Sequence, residues 1–180
     1  GTRTVRGLEA LTLGTPPIPG QSIVRRPNNE QLATLGEVLR PQGFEPMFFY
    51  GGYGYFDNMN AFFQGNSYTV VDRTDFPKES IGFENVWGIG DEFLFNNVLE
   101  RLDLTHQTGK RMLAQIMTTS NHRPFTYASG RIDIPSPGGR DGAVKYTDYS
   151  LGRFFEMAKK EAFWTNTIFA VVADHRSEEH

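Results

Sequence analysis

The 180-residue chain has no cysteine, which removes disulfide frameworks and thiolate chemistry and leaves oxygen and imidazole donors for any metal ion. It also lacks a strong charge of either sign. A formal net charge of -3 provides no general basic field, so nucleic acid is not an expected partner, although a small anionic group could bind locally. No stretch approaches the ~18 apolar residues of a membrane span, and no charged-plus-apolar signal segment opens the chain. An initiator Met is missing as well. Gly1-Thr-Arg-Thr-Val-Arg-Gly-Leu-Glu-Ala begins in mid-pattern, as expected of a piece of something longer. There is no internal repeat, low-complexity tract or second-domain boundary. With 38% hydrophobic and 22% charged residues, the composition is that of one soluble globular domain, 1–180, with a sizeable core.

Periodicity then supplies an order of elements. Val5, Leu8, Leu11 and Leu13 recur at near-helical spacing from Thr4, with Thr2 or Thr4 available as a cap. The proline-rich Thr15–Gly20 segment breaks regular structure. A second helix is expected over Glu30–Arg40, capped by Asn28 or Asn29, with Leu32, Leu35 and Leu39 on its apolar face. Glu45–Tyr50 reads as a strand, Ala61–Phe63 as part of a short helix and Tyr68–Asp72 as a short edge strand. A longer amphipathic helix over Asp91–His106 precedes a strand at Arg111–Met117; a helix over Ala143–Ala162 precedes a strand at Thr167–Ala173. Strands alternating with helices predict an α/β fold, with a mostly parallel sheet between helical layers.

Polar clusters follow three of these strands. The last is Asp174-His175, where an apolar run ends in a carboxylate and an imidazole. In open α/β sheets such groups gather at the carboxyl ends of strands, so the pair could be metal ligands or simply a polar strand end. Adjacent strand residues face opposite ways, so a shared ion requires the chain to turn there. After Tyr50 comes a glycine- and aromatic-rich loop running to Asn60, readable as a substrate-facing loop or as a tight turn with core aromatics. Its glycine spacing is not a nucleotide fingerprint. The third cluster, Thr118–Phe125, carries His122, able to donate to a substrate oxygen or merely to bond within its loop, and beside it Arg123. His106 sits at a helix end and is given no catalytic role. Arg3, Arg6, Arg25 and Arg26 could attract an anion, although scattered surface arginines are the commoner explanation. A fourth cluster, Gly1–Thr4, opens a helix, where a hydroxyl nucleophile gains from free amides and the helix dipole, and where most threonines are only caps.

Taken in order, Gly1–Ala10 with Thr4, Tyr50–Asn60, Thr118–Phe125 with His122, and Ala173-Asp-His175 resemble the lipoteichoic acid synthase-like branch of the sulfatase family, within the alkaline phosphatase superfamily. The resemblance spans nearly the whole chain. It implies a three-layer α/β/α sulfatase-like catalytic domain, incomplete at both ends, from an extracytoplasmic enzyme whose parent is membrane-tethered. It implies further that Thr4 is the metal-bound nucleophile, that Asp174 and His175 are metal ligands, and that the cofactor is a divalent ion, manganese in this branch. His122 and Arg123, with Tyr50, Phe56, Asp57 and Asn58 of the loop, would line the pocket for a small anionic ester or lipid head group of phosphoglycerol type. Two departures stand out. An aromatic-Asn-Arg run in the family's loop is replaced by Asp57-Asn58-Met59, without the arginine, and the family's first acidic metal ligand lies upstream of the nucleophile. A non-catalytic α/β binding module without a complete metal site is the alternative.

Overall fold

The computed structural model describes residues 3–176. Its centre is a parallel sheet of β1 (Phe44–Tyr50), β2 (Thr69–Val71) and β5 (Arg111–Met117), ordered β2-β1-β5. β1 pairs with β5 along its whole length, from Phe44 opposite Arg111 to Tyr50 opposite Met117. A two-stranded antiparallel hairpin, β3 (Glu84–Asn85) and β4 (Gly88–Ile89), stands apart from the sheet. The helices are α1 (Thr4–Leu13), α2 (Leu35–Leu39), α3 (Met59–Gly65), α4 (Asp91–Gln107) and α5 (Gly139–Ala158).

Alternation along the strands divides the core in two. Met47, Phe49, Val71, Met112, Ala114 and Ile116 face α4 and α5, packing with Leu94, Val98, Leu102 and Phe154. Phe48, Tyr50, Val70, Leu113 and Met117 face the other way, onto Val5 and Leu8 of α1 and Met59, Phe62 and Phe63 of α3. Phe48 stacks on Phe63 with ring centroids 3.7 Å apart. The side-chain period of two is what allows each strand to serve both layers. Fully burying one such side chain contributes roughly 1.5–3 kcal/mol, so the two apolar faces hold the helices to the sheet. The expected three-layer α/β/α arrangement is therefore present.

Three elements differ from expectation. The second helix is only five residues long, because Gln31 adopts a left-handed φ of 56° and Thr34, not Asn28 or Asn29, caps it by accepting from the Glu37 amide at 3.2 Å. Asn29 instead donates its amide to the carbonyls of Ile23 and Val24. The helix expected at Ala143–Ala162 starts four residues earlier and ends four earlier, at Gly139 and Ala158. The final strand is the largest correction. Thr167–Ala173 joins no ladder, and Ile168, Val171 and Val172 are 95%, 65% and 59% exposed. β-propensity needs a neighbouring strand to pair with, and here Phe169 is the apolar side chain that packs, against Phe154, Phe155 and Trp164.

Candidate functional site

All three parallel strands end on one edge, and that edge carries the loops with the candidate residues. Thr4 is the first residue of α1 rather than its cap; Arg3 holds the cap position with extended angles and makes no side-chain cap bond. Thr2 lies outside the described residues. The uncapped first turn leaves backbone donors and the positive helix end beside the Thr4 hydroxyl.

Asp174 lies against the same turn. Its backbone packs so closely on Gly7 that a Cβ there would overlap the Asp174 carbonyl. A bend at Asp174-His175 turns both side chains together: the His175 amide donates to Asp174 Oδ1 at 3.0 Å, and His175 Nε2 lies 3.7 Å from Asp174 Oδ2. His175 Nδ1 is 2.7 Å from the Arg176 carbonyl, which accepts from an Nδ1–H and leaves Nε2 as the ring nitrogen that faces the carboxylate oxygen. A hydroxyl, a carboxylate and an imidazole are donor types that suit a divalent cation. Among the described residues no group of three or more His, Cys, Asp or Glu side chains is placed to hold one.

The pocket loop is organised by a different carboxylate. Asp72, immediately after β2, is buried; its Oδ2 accepts from the Gly54 amide and Asn60 Nδ2, both at 2.8 Å, and its Oδ1 from the Thr74 amide and hydroxyl. Burial alone would raise its pKa, but the bonds from Thr74, Asn60 and Gly54 outweigh that and hold the carboxyl below its usual range. The loop glycines permit close approach: a side chain at Gly52 would overlap the Trp87 carbonyl, and one at Gly54 would overlap the Asn60 amide. Within this loop the candidates separate. Tyr50 belongs to the core, 6% exposed, and burial, reinforced by the charges of Asp57 and Asp72, pushes its hydroxyl up to about 12. Asn58 donates to the Val24 carbonyl at 2.9 Å, a structural tie. Phe56 is exposed, and its ring meets Trp87 edge-on at 6.2 Å. Asp57 pairs with Arg25, Nη1 to Oδ1 3.4 Å.

Arg25 thereby brings a cation to a loop that has none of its own. It ends the 3-10 turn Ile23–Arg25, which is anchored to α1 through Ser22: the Ser22 hydroxyl lies 3.1 Å from the Val5 carbonyl and 2.7 Å from Glu9 Oε2. The turn is the link between the Thr4 helix and the pocket loop.

His122 sits at the third strand end. Its Nδ1 lies 3.1 Å from the Thr119 carbonyl, which accepts from an Nδ1–H and leaves Nε2 outside that bond. Its ring packs against Trp87 in a tilted contact, centroids 4.6 Å apart and planes 31° apart. The segment before it is held by Asp91 at the start of α4, which is fully buried and accepts at Oδ1 from the Thr119 and Ser120 amides and at Oδ2 from the Thr147 hydroxyl. Burial pushes the Asp91 carboxyl up, with the bonds from Thr147, Ser120 and Thr119 opposing it. The Arg123 side chain is exposed, and the group it contributes locally is its carbonyl, which accepts from the Trp87 indole N–H. Phe56, Trp87 and His122 thus come together, as do Asp174, His175 and the first turn of α1. Sequence reasoning missed Trp87, Asp72 and Asp91, and passed over Arg25. The one signal available was Asp72 directly after a strand, the same pattern that marked Asp174.

The Sulfatase family model matches residues 1–179. Among curated relatives, phosphoglycerol transferase I of Xanthomonas campestris pv. campestris is 23% identical over 150 residues, covering 78% of this chain and 21% of the relative. Lipoteichoic acid synthase 2 of Bacillus subtilis is 25% identical over 173 residues, covering 89% of this chain and 26% of the relative. The chain thus spans about a fifth to a quarter of those relatives. Among solved structures, a Vibrio parahaemolyticus protein in the alkaline phosphatase superfamily superimposes with a TM-score of 0.85 at 39% identity, over 91% of this chain and 41% of that one. The lipoteichoic acid synthase LtaP of Listeria monocytogenes gives 0.78 at 23% identity, over 91% and 42%.

Proposed function

This chain belongs to the sulfatase family, and on that footing we propose that its parent transfers a phosphoryl group, or cleaves an ester, on a phosphoglycerol-type or related anionic substrate, with Thr4 as the nucleophile. The observation that carries the reading is the contact of the Asp174 backbone with Gly7, which sets the Asp174-His175 pair against the turn that Thr4 opens. Thr4, Asp174 and His175 would hold a divalent ion, manganese by the resemblance drawn above, and that ion would lower the pKa of the Thr4 hydroxyl and offset charge on the phosphoryl oxygens.

The chain's own groups supply the rest. The open first turn of α1 receives anionic oxygens. The Thr4 hydroxyl loses its proton as its oxygen bonds to phosphorus and the substrate's ester P–O bond breaks, and the departing alcohol oxygen takes up a proton; a water or acceptor alcohol then displaces Thr4, giving up a proton as the Thr4 hydroxyl regains one. His122 Nε2 would contact a substrate hydroxyl, Arg25 offers positive charge, and Phe56 offers an apolar surface. Asp57 orients Arg25, while Asn58 and Tyr50 support the loop that carries them. We assign the parent to the extracytoplasmic face of a membrane, tethered there, with a lipid head group as substrate. No helix among the described residues is long and apolar enough to cross a membrane.

The test compares the parent protein with its Thr4→Ala form on a phosphodiester and on an aryl sulfate, with manganese. Thr4→Ala should lose at least ~10³-fold in kcat; equal turnover by the two forms rules out the nucleophile. The lack of a three-ligand cluster among the described residues favours a second reading, a sulfatase-like binding module without metal. Manganese titration separates the two, since binding abolished by Asp174→Ala excludes the metal-free module.

A further inference from the structure

Trp87 lies at the tip of the β3–β4 hairpin, half-exposed and outside all three apolar core clusters. A surface indole in such a place has no packing reason to be rigid, yet it is fixed from several directions. Its backbone N–H donates to Asn85 Oδ1 at 2.9 Å, and its indole N–H donates to the Arg123 carbonyl. The hairpin is joined to the pocket loop by the Ile89 amide donating to the Gly51 carbonyl at 2.9 Å, and to the segment after His122 by Asn85 Nδ2 donating to Thr126 Oγ1 at 2.9 Å. Gly52 leaves room for the Trp87 carbonyl where any side chain would overlap it. Of the ring's own neighbours, one is the edge-on Phe56 and the other is the face of His122.

We propose that Trp87 is a positioning residue for His122: it holds the imidazole flat, in the Nδ1–H tautomer, with Nε2 turned to the pocket. Two constraints act on one ring. The Thr119 carbonyl accepts from Nδ1–H, which favours that tautomer, but with this bond alone the ring can rotate out of it and exchange tautomers. The contact with Trp87 removes that rotation, and the bond from the indole N–H to the residue following His122 keeps indole and imidazole in register. The same wall sets specificity, because Phe56 and Trp87 together form an aromatic face that favours an organic group beside the anionic centre over a bare inorganic ester.

The positional claim stands on this chain alone; its catalytic consequence rests on the phosphoryl-transfer reading given above. Imidazole ¹⁵N–¹H spectra of the chain test the first part. In the wild type, His122 should show one Nδ1–H tautomer with protons shifted by the indole ring current. Trp87→Phe should retain that pattern, whereas Trp87→Ala and Trp87→Leu should mix the two tautomers and lose the ring-current shift. Leu fills the site without a ring, so it carries the test should the Ala variant unfold. An unchanged His122 pattern in Trp87→Leu overturns the proposal, and so does loss of the fold in all three variants. In the parent, Trp87→Leu should reduce kcat by about 10²-fold with a smaller change in KM, with Phe restoring most of it. If the spectra behave as expected while Thr4→Ala remains fully active, the positioning of His122 stands and the phosphoryl-transfer reading falls.

Discussion

Gly7 shows how one missing side chain can decide whether a site exists. In an exposed helix interior, alanine in place of glycine would add up to about 1 kcal/mol of stability. Here the new methyl group would occupy the place of the Asp174 carbonyl, so the segment carrying Asp174 and His175 would have to move away from Thr4. Gly7→Ala should therefore weaken manganese binding about tenfold or more while leaving every proposed ligand in place, a change of at least ~1.4 kcal/mol measurable by calorimetry. Unaltered affinity would show that the approach at Gly7 does not build the metal site. Sequence made Asp174, His175 and Thr4 visible as chemistry-bearing residues at a strand end and a helix start. It could not expose Gly7, which in a helical pattern looks like a mild defect, or Trp87, whose role depends on a hairpin of two-residue strands too short to show an alternation.

Among the elements, the Tyr50–Asn60 loop depends on the residue that follows the strand beside it. Asp72 gathers the Gly54 amide, the Asn60 side chain and Thr74, so β2 holds the turn between β1 and α3 closed. Asn at position 72 would set its amide against the Gly54 and Asn60 donors, and Asp72→Asn should lower stability by about 1–3 kcal/mol at pH 7. Because the folded carboxyl is held below its usual range, its stabilisation is fully present above the unfolded value near ~3.9 and is lost as pH falls through the folded value. The gap between wild type and Asp72→Asn should therefore close in acid, followed by urea unfolding from pH 7 to 3. A gap that stayed constant would mean that the carboxylate charge is not what the loop uses. Most elements were legible in advance: β1, β5, α1 and α4 have lengths and periods that admit few alternatives. The helix expected over Glu30–Arg40 was shortened to Leu35–Leu39 because its leucines matched a helical period while Gln31 and Thr34 turned the chain, and local turn chemistry outweighed the pattern in its first half. Thr167–Ala173 failed for the opposite reason, since its residues suit a strand and the partner that would make it one is not beside it.

For the molecule as a whole, the sheet stops at β5, whose outer edge has no ladder partner among the described residues, and the apolar Ile168–Ala173 run is exposed. An open edge together with an exposed β-prone segment favours pairing between copies. Val171→Lys should weaken self-association of this chain roughly tenfold, about 1.4 kcal/mol, by sedimentation equilibrium; an unchanged association constant would place the contact elsewhere. That run also joins the two layers. Phe169 is packed with α5 on one side of the sheet, and Asp174 rests on α1 on the other, with no strand pairing in between. The donors assigned to the ion are thus divided between a helix and a strap pinned only at its ends. A cation shared by Thr4, Asp174 and His175 would act as a cross-link, closing a covalently open circuit between the layers. Its occupancy would then be linked to the unfolding free energy of the domain, which would rise by about 2.7 kcal/mol at a free-ion concentration a hundredfold above the dissociation constant, and the melting temperature would rise with it.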